Sequence, residues 1–140
     1  MFIINLTQHP ATEDQIEAGV RDLEGEALAT LKQALTFDVI PSPEEILFRA
    51  ERIAWLVVKQ VMAPEQYWGK QDPYQSIYEA GIAAMIGGAP YLMPPLERAL
   101  KEVGVEPLYA FSTRESVEEV QPDGSVRKVA IFRHTGWITT

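Results

Sequence analysis

The stretch from Ile82 to Phe111, IAAMIGGAPYLMPPLERALKEVGVEPLYAF, constrains this chain most. An apolar run (Ile82 to Ile86) stops at Gly87-Gly88, a proline-punctuated segment leads into a periodic helix, and Gly104 closes that helix before a second apolar run (Leu108 to Phe111). This order predicts a strand, a glycine turn, a helix and a returning parallel strand. Such a unit sets its glycine turn at the carboxyl end of a strand, where open α/β sheets collect ligands.

The helix of this unit is legible residue by residue. Pro94 and Pro95 suit a first turn, where a missing N–H costs nothing, and Leu96, Ala99, Leu100 and Val103 repeat at three and four residues to form one apolar face. Lys101 stands in the last turn, at the negative end of the helix dipole. Gly104 can take the left-handed conformation that ends a helix.

Before this unit, Phe2 to Leu6 reads as a first strand, its adjacent isoleucines implying burial on both faces. Thr7-Gln8-His9-Pro10 interrupts it. Thr12 and Gln15 have the spacing of a capping box, which predicts a helix carrying Ile16, Val20 and Leu23 on one face, broken at Asp22 to Gly25 before Leu28, Leu31 and Leu35 resume the pattern. Phe37 to Ile40 is a candidate second strand. Ser42-Pro43-Glu44-Glu45 then starts a helix whose broad apolar stripe, Ile46 to Val61, suits burial or a subunit interface. From Ala63 to Gly81 periodicity is lost and Tyr67, Trp68, Tyr74 and Tyr78 alternate with proline and glycine, giving either a lid or a loop packed on the core. At the other end, Asp123-Gly124 between two β-rich runs, Leu108 to Val120 and Val126 to Ile138, predicts a hairpin.

With 140 residues the chain is expected to form one domain. That domain, over 1–140, is a small Rossmann-like three-layer α/β fold: a mainly parallel sheet ending in an antiparallel β-hairpin. Net charge of -8 argues against non-specific binding of duplex nucleic acid. No cysteine is present, which removes thiol chemistry and points to the cytoplasm. No run is long enough for a signal peptide or a membrane span, and no motif asks for a cofactor or a metal.

Two turns carry the candidate chemistry. Thr7, Gln8 and His9 offer hydroxyl, amide and imidazole groups after the first strand, and Gly87, Gly88 and Ala89 offer bare backbone N–H groups after the central one. Neighbouring parallel strands would bring both to one sheet edge. His9 is the candidate for phosphate binding or proton transfer, against the plainer reading of a residue that Pro10 holds at the start of a helix. Thr12 fits a cap, and Thr7 fits either role. A second polar group comes from the hairpin, where pairing should bring Ser112 and Arg114 towards Arg133 and His134. This set either binds phosphate or forms cross-strand ion pairs with Glu115, Glu118 and Glu119.

The opening IINLTQHPATEDQIEAGV resembles the amino terminus of small CRISPR-accessory proteins of the ring-nuclease type. The whole chain, through AMIGGAPYLMPPLERAL, LYAFSTRESVEE and FRHTGW, looks like a family of uncharacterised small proteins from bacterial phages and plasmids. The first resemblance implies a Rossmann-like homodimer that binds a cyclic oligoadenylate and cuts it without metal, by setting a ribose hydroxyl in line with the adjacent phosphate. Thr7 and His9 would lie at one polar turn, with Gly87 and Gly88 in its neighbour. Ala63 to Gly81 and the long hairpin fall outside that pattern. The expected function is therefore binding of a nucleotide or cyclic oligonucleotide, which the first resemblance extends to hydrolysis. The alternative is a non-enzymatic protein-binding accessory factor, acting through the Ile46 to Met62 helix and the aromatic segment.

Overall fold

The computed structural model describes residues 2–62 and 74–140. Three very short parallel strands form one half of a single sheet: β1 (Ile3–Asn5), β2 (Val20–Asp22) and β3 (Ala83–Met85). Two long strands, β4 (Glu106–Val120) and β5 (Val126–Thr139), complete it as an antiparallel hairpin. The order across the sheet is β2-β1-β3-β4-β5, with β4 parallel to β3. The expected α/β architecture, mainly parallel with a closing hairpin, is therefore the observed one.

The sheet's two faces are unequal. On one face Ile4, Leu6, Ala84 and Ile86 join the main core, covered by α2 (Gly25–Leu35), α3 (Pro43–Val61) and α5 (Met93–Glu102). On the other, Ile3, Val20, Ala83, Met85 and Leu108 form a small cluster topped by Ala11 and Trp137 beside the short helix α1 (Glu13–Glu17). Adjacent isoleucines on β1 thus serve opposite faces, Ile3 wholly buried and Ile4 nearly so.

Local signals set most helix ends. Thr12 caps α1 by accepting from Gln15 N–H (3.2 Å) while Gln15 Oε1 accepts from Thr12 N–H (3.0 Å), the expected capping box. Ser42 Oγ accepts from Glu45 N–H at 3.1 Å to start α3. Pro94 and Pro95 stand in the first turn of α5. Its far end has the full Schellman pattern: Val105 N–H donates to Leu100 O (2.9 Å) and Gly104 N–H to Lys101 O (3.0 Å), with Gly104 at φ +84°. The apolar face of α5 buries Leu96 and Leu100 completely, worth about 1.5–3 kcal/mol each.

Three expectations are corrected. The first helix ends at Glu17, and Val20 to Asp22, expected to continue it, is a strand paired with β1. Gly19, at φ +105°, makes the turn between them. Phe37 to Ile40 is not a strand; Val39 and Ile40 are 80% and 96% exposed, and no strand among the described residues pairs with them. The segment expected to be irregular contains α4 (Gln75–Ala80), closed by Gly81 in the left-handed conformation. The aromatics Tyr67 and Trp68 lie outside the described residues.

Candidate functional site

The site grows from Asn5, a polar residue at the end of an otherwise apolar strand and only 3% exposed. Burial of an amide requires partners, and Asn5 has four contacts. Its Oδ1 accepts from Thr7 N–H (2.9 Å) and from the Thr7 hydroxyl (2.7 Å). Its Nδ2 donates to the His9 carbonyl and to Asp22 Oδ1, both at 2.8 Å. Asp22 Oδ1 in turn accepts from Ala11 N–H at 3.0 Å. The turn after β1 is therefore drawn tight by its backbone, and the Gln8 and His9 side chains are left exposed. Gln8 Nε2 reaches the Thr36 hydroxyl at 3.3 Å. The His9 imidazole has no hydrogen-bond partner among the described residues.

Beside this turn lies the one after β3, because β1 and β3 are parallel neighbours. Gly88 has φ +144°, a conformation side chains rarely adopt. A Cβ at Gly87 would meet Thr7 Cγ2 at 3.5 Å, ordinary contact, so glycine is needed there less than at Gly88. Thr7, Gln8, His9, Gly87, Gly88 and Ala89 all line one crevice of about 620 Å³, with Tyr109 on its far wall. The expected meeting of the two turns is what the strand pairing produces.

The position of this crevice follows from topology. From β1 the chain crosses by α1 to β2 on one side, and from β3 it crosses by α5 to β4 on the other. The gap between β1 and β3 is thus the switch point of the sheet, where helices on opposite faces part and leave a cleft. Among the described residues, the backbone N–H groups of Gln8, His9, Gly87, Gly88 and Ala89 have no acceptor. The amino end of α5 adds little, since Pro94 and Pro95 have no N–H and those of Leu92 and Met93 are bonded to Ala89 and Pro90 carbonyls. An anion here would be met by the turns themselves.

Tyr109 lines the crevice, and Arg49 braces the helices outside its lining. Tyr109 donates to Glu97 Oε1 at 3.0 Å; burial, with the adjacent carboxylate, pushes the phenol up to about 12 and keeps it a donor at neutral pH. Arg49 caps the last turn of α2 by donating to the Gln33 carbonyl (3.1 Å) and the Thr36 carbonyl, while it pairs with Glu45 at 2.7 Å. Its guanidinium lies 4.3 Å from the Phe37 ring centroid, and Phe37 meets Tyr91 edge-on at 5.2 Å. That stack ties α2 and α3 to the segment between Gly88 and α5.

A second cleft of about 400 Å³ lies on the other side of the β1 turn, lined by Asn5, Asp22, Glu24 and Lys32 as well as by Thr7 to Pro10. The hairpin group does not reach either cleft. Ser112 pairs with His134 and Arg114 with Phe132, as the turn predicts, but Ser112 and Arg114 are exposed on the strand beyond the core. Arg133 is taken by Glu115 at 2.7 Å, the cross-strand ion pair. His134 stacks on Trp137 (4.4 Å between centroids) near Asp14 and Glu17, with its Nδ1 buried and without a hydrogen-bond partner among the described residues. Asn5 and Asp22 are the residues that sequence reasoning missed; a lone amide ending an apolar strand, two residues before a threonine, is the signal of such a turn.

Among the described residues no helix is long and apolar enough to cross a membrane, and no three His, Asp or Glu side chains gather as a metal site. No curated protein and no solved structure matches the chain in the comparisons made. A family match extends over residues 1–138, nearly the whole sequence and both turns of the crevice. The chain belongs to the Uncharacterized protein MJ1673 family.

Proposed function

We propose that this protein binds a nucleotide or cyclic oligonucleotide in the switch-point crevice and opens the cyclic form without a metal. The observation that carries the reading is that five residues whose backbone N–H groups are unbonded among the described residues line this one crevice, with an exposed imidazole among them. Backbone donors suit phosphate oxygens, and the crevice is of the size that holds a small ligand. For cleavage, His9 would accept the proton of a ribose 2′-hydroxyl as that oxygen attacks the adjacent phosphorus. The 5′-oxygen then leaves, taking a proton from water, and a 2′,3′-cyclic phosphate remains. The reading includes a homodimer, which places two such crevices on one assembly, and a role in mobile-element or antiphage signalling. The homodimer follows from the resemblance of the amino terminus, and the mobile-element role from the resemblance of the whole chain to small phage and plasmid proteins.

A thermal-shift screen against mononucleotides, dinucleotides and cyclic oligonucleotides tests it, because a ligand of the folded state raises the melting temperature. A shift that His9→Ala abolishes, with no change in the ligand-free melting temperature, is expected. A shift that His9→Ala leaves intact would place the ligand elsewhere.

The other reading, a protein-binding accessory factor, has its own support. The inner face of α3 is spent on the core through Ala50, Ile53, Ala54, Val57 and Val58, but Phe48 and Trp55 remain 54% and 45% exposed beside Arg52 and Lys59. Absence of any nucleotide shift, with a protein partner lost on Phe48→Ala, would favour this reading.

A further inference from the structure

The hairpin is much longer than the sheet needs. β3 pairs with β4 only over Glu106 to Leu108, yet β4 and β5 continue as nine further pairs from Ser112↔His134 to Val120↔Val126. None of these outer residues joins a core cluster, and Val120 and Phe132 are each 72% exposed. A two-stranded ribbon wet on both faces is marginal by itself. It is also charged by strand: β4 carries Glu115, Glu118 and Glu119 against Arg114, whereas β5 from Val126 to His134 carries Arg127, Lys128 and Arg133 and no carboxylate.

We infer that this ribbon is a dimerisation arm whose occupant is the same arm of a second copy, stacked face to face. Charge decides the geometry. Joining two β5 edges would set three cations against three, and joining two β4 edges would oppose the glutamates. Stacking about an axis along the strands sets β4 of one arm over β5 of the other, so each acidic strand meets a basic one. On the face that carries Glu115, Val117 and Glu119, register places Val129 and Ile131 across the ribbon. That arrangement gives an apolar strip of Val117, Val129 and Ile131, with Glu119 and Arg127 at one end and the Glu115–Arg133 ion pair at the other. Elsewhere a net charge of -8 keeps two copies apart. The face measures about 30 by 10 Å, smaller than the roughly 800 Å² each partner gives to a standard interface, so the dimer is reversible and concentration-dependent. The inference rests on the homodimer in the reading above and is independent of its ligand.

Sedimentation equilibrium of the full chain over a range of about 5–200 μM tests the arm, with two double variants, Glu118→Lys/Glu119→Lys and Arg127→Glu/Lys128→Glu. All four positions are exposed. Wild type should dimerise, each variant alone should stay monomeric, and an equimolar mixture should dimerise again. Mixing cannot relieve repulsion within one arm, so restoration reports contact between arms. A wild type monomeric throughout overturns both the arm and the homodimer. A dimer that survives either double variant, or a mixture that stays monomeric, overturns the arm alone. Retention of a single-stranded RNA oligonucleotide by monomeric wild type, lost on Arg127→Glu/Lys128→Glu, would assign the basic strand to nucleic acid instead. Monomeric variants that keep a nucleotide thermal shift would separate the arm from the crevice.

Discussion

Asn5 holds the crevice together, because one buried amide fixes the turn that presents Gln8 and His9. Its removal leaves Thr7 N–H without an acceptor and takes one of two donors from the His9 carbonyl and from Asp22 Oδ1. Asn5→Leu should therefore cost about 2–3 kcal/mol in chemical denaturation, and it should abolish ligand binding even in the variants that stay folded. Tyr109 gives a pH signature. Its folded-state pKa of about 12 lies above the ordinary value of 10, so its contribution is full below pH 10 and falls away as pH rises towards 12. Tyr109→Phe should melt lower than wild type at pH 8, with the difference shrinking on denaturation at pH 11. An equal difference at both pH values would contradict this. His9 was visible in the sequence because Pro10 and the capped helix after it mark a turn, whereas Asn5 looked like a strand residue. Three of its hydrogen bonds are local, to Thr7 and His9, but the bond to Asp22 depends on a residue brought in by the pairing of β1 with β2.

At the level of elements, α5 and its Schellman end show how a local pattern becomes a tertiary constraint. A Cβ on Gly104 would lie 3.0 Å from Tyr74 O and Tyr78 N, in addition to the strain of φ +84°. Gly104→Ala should cost more than the about 1 kcal/mol expected from conformation alone, and Gly124→Ala, at φ +85° with nothing near it, should cost about that amount. Thermal denaturation of the two variants measures the difference; equal losses would mean that α4 yields to the new methyl. Both glycines, the caps at Thr12 and Ser42, and the hairpin turn were legible because their signals lie within a few residues. β2 was not. Val20-Arg21-Asp22 has no period of its own, and only pairing with β1 makes it a strand.

For the whole molecule, strand order was the hidden quantity. It depends on contacts between residues far apart in the chain, yet it decides that the gap between β1 and β3 is the switch point and that the two candidate turns share one cleft. The hairpin residues show the limit of reading pairs without places: Ser112, Arg114, Arg133 and His134 pair as expected and lie on the arm, away from that cleft. On these proposals the molecule divides into a sheet edge that would take a phosphate-bearing ligand and an arm that would take a second copy. The most direct test of the central claim is an amide NMR titration of ¹⁵N-labelled protein with the nucleotide that gives the largest thermal shift. The account predicts perturbations concentrated at Gln8, His9, Gly87, Gly88 and Ala89. Perturbations confined to the arm or to the outer face of α3, with those five amides unmoved, would contradict it.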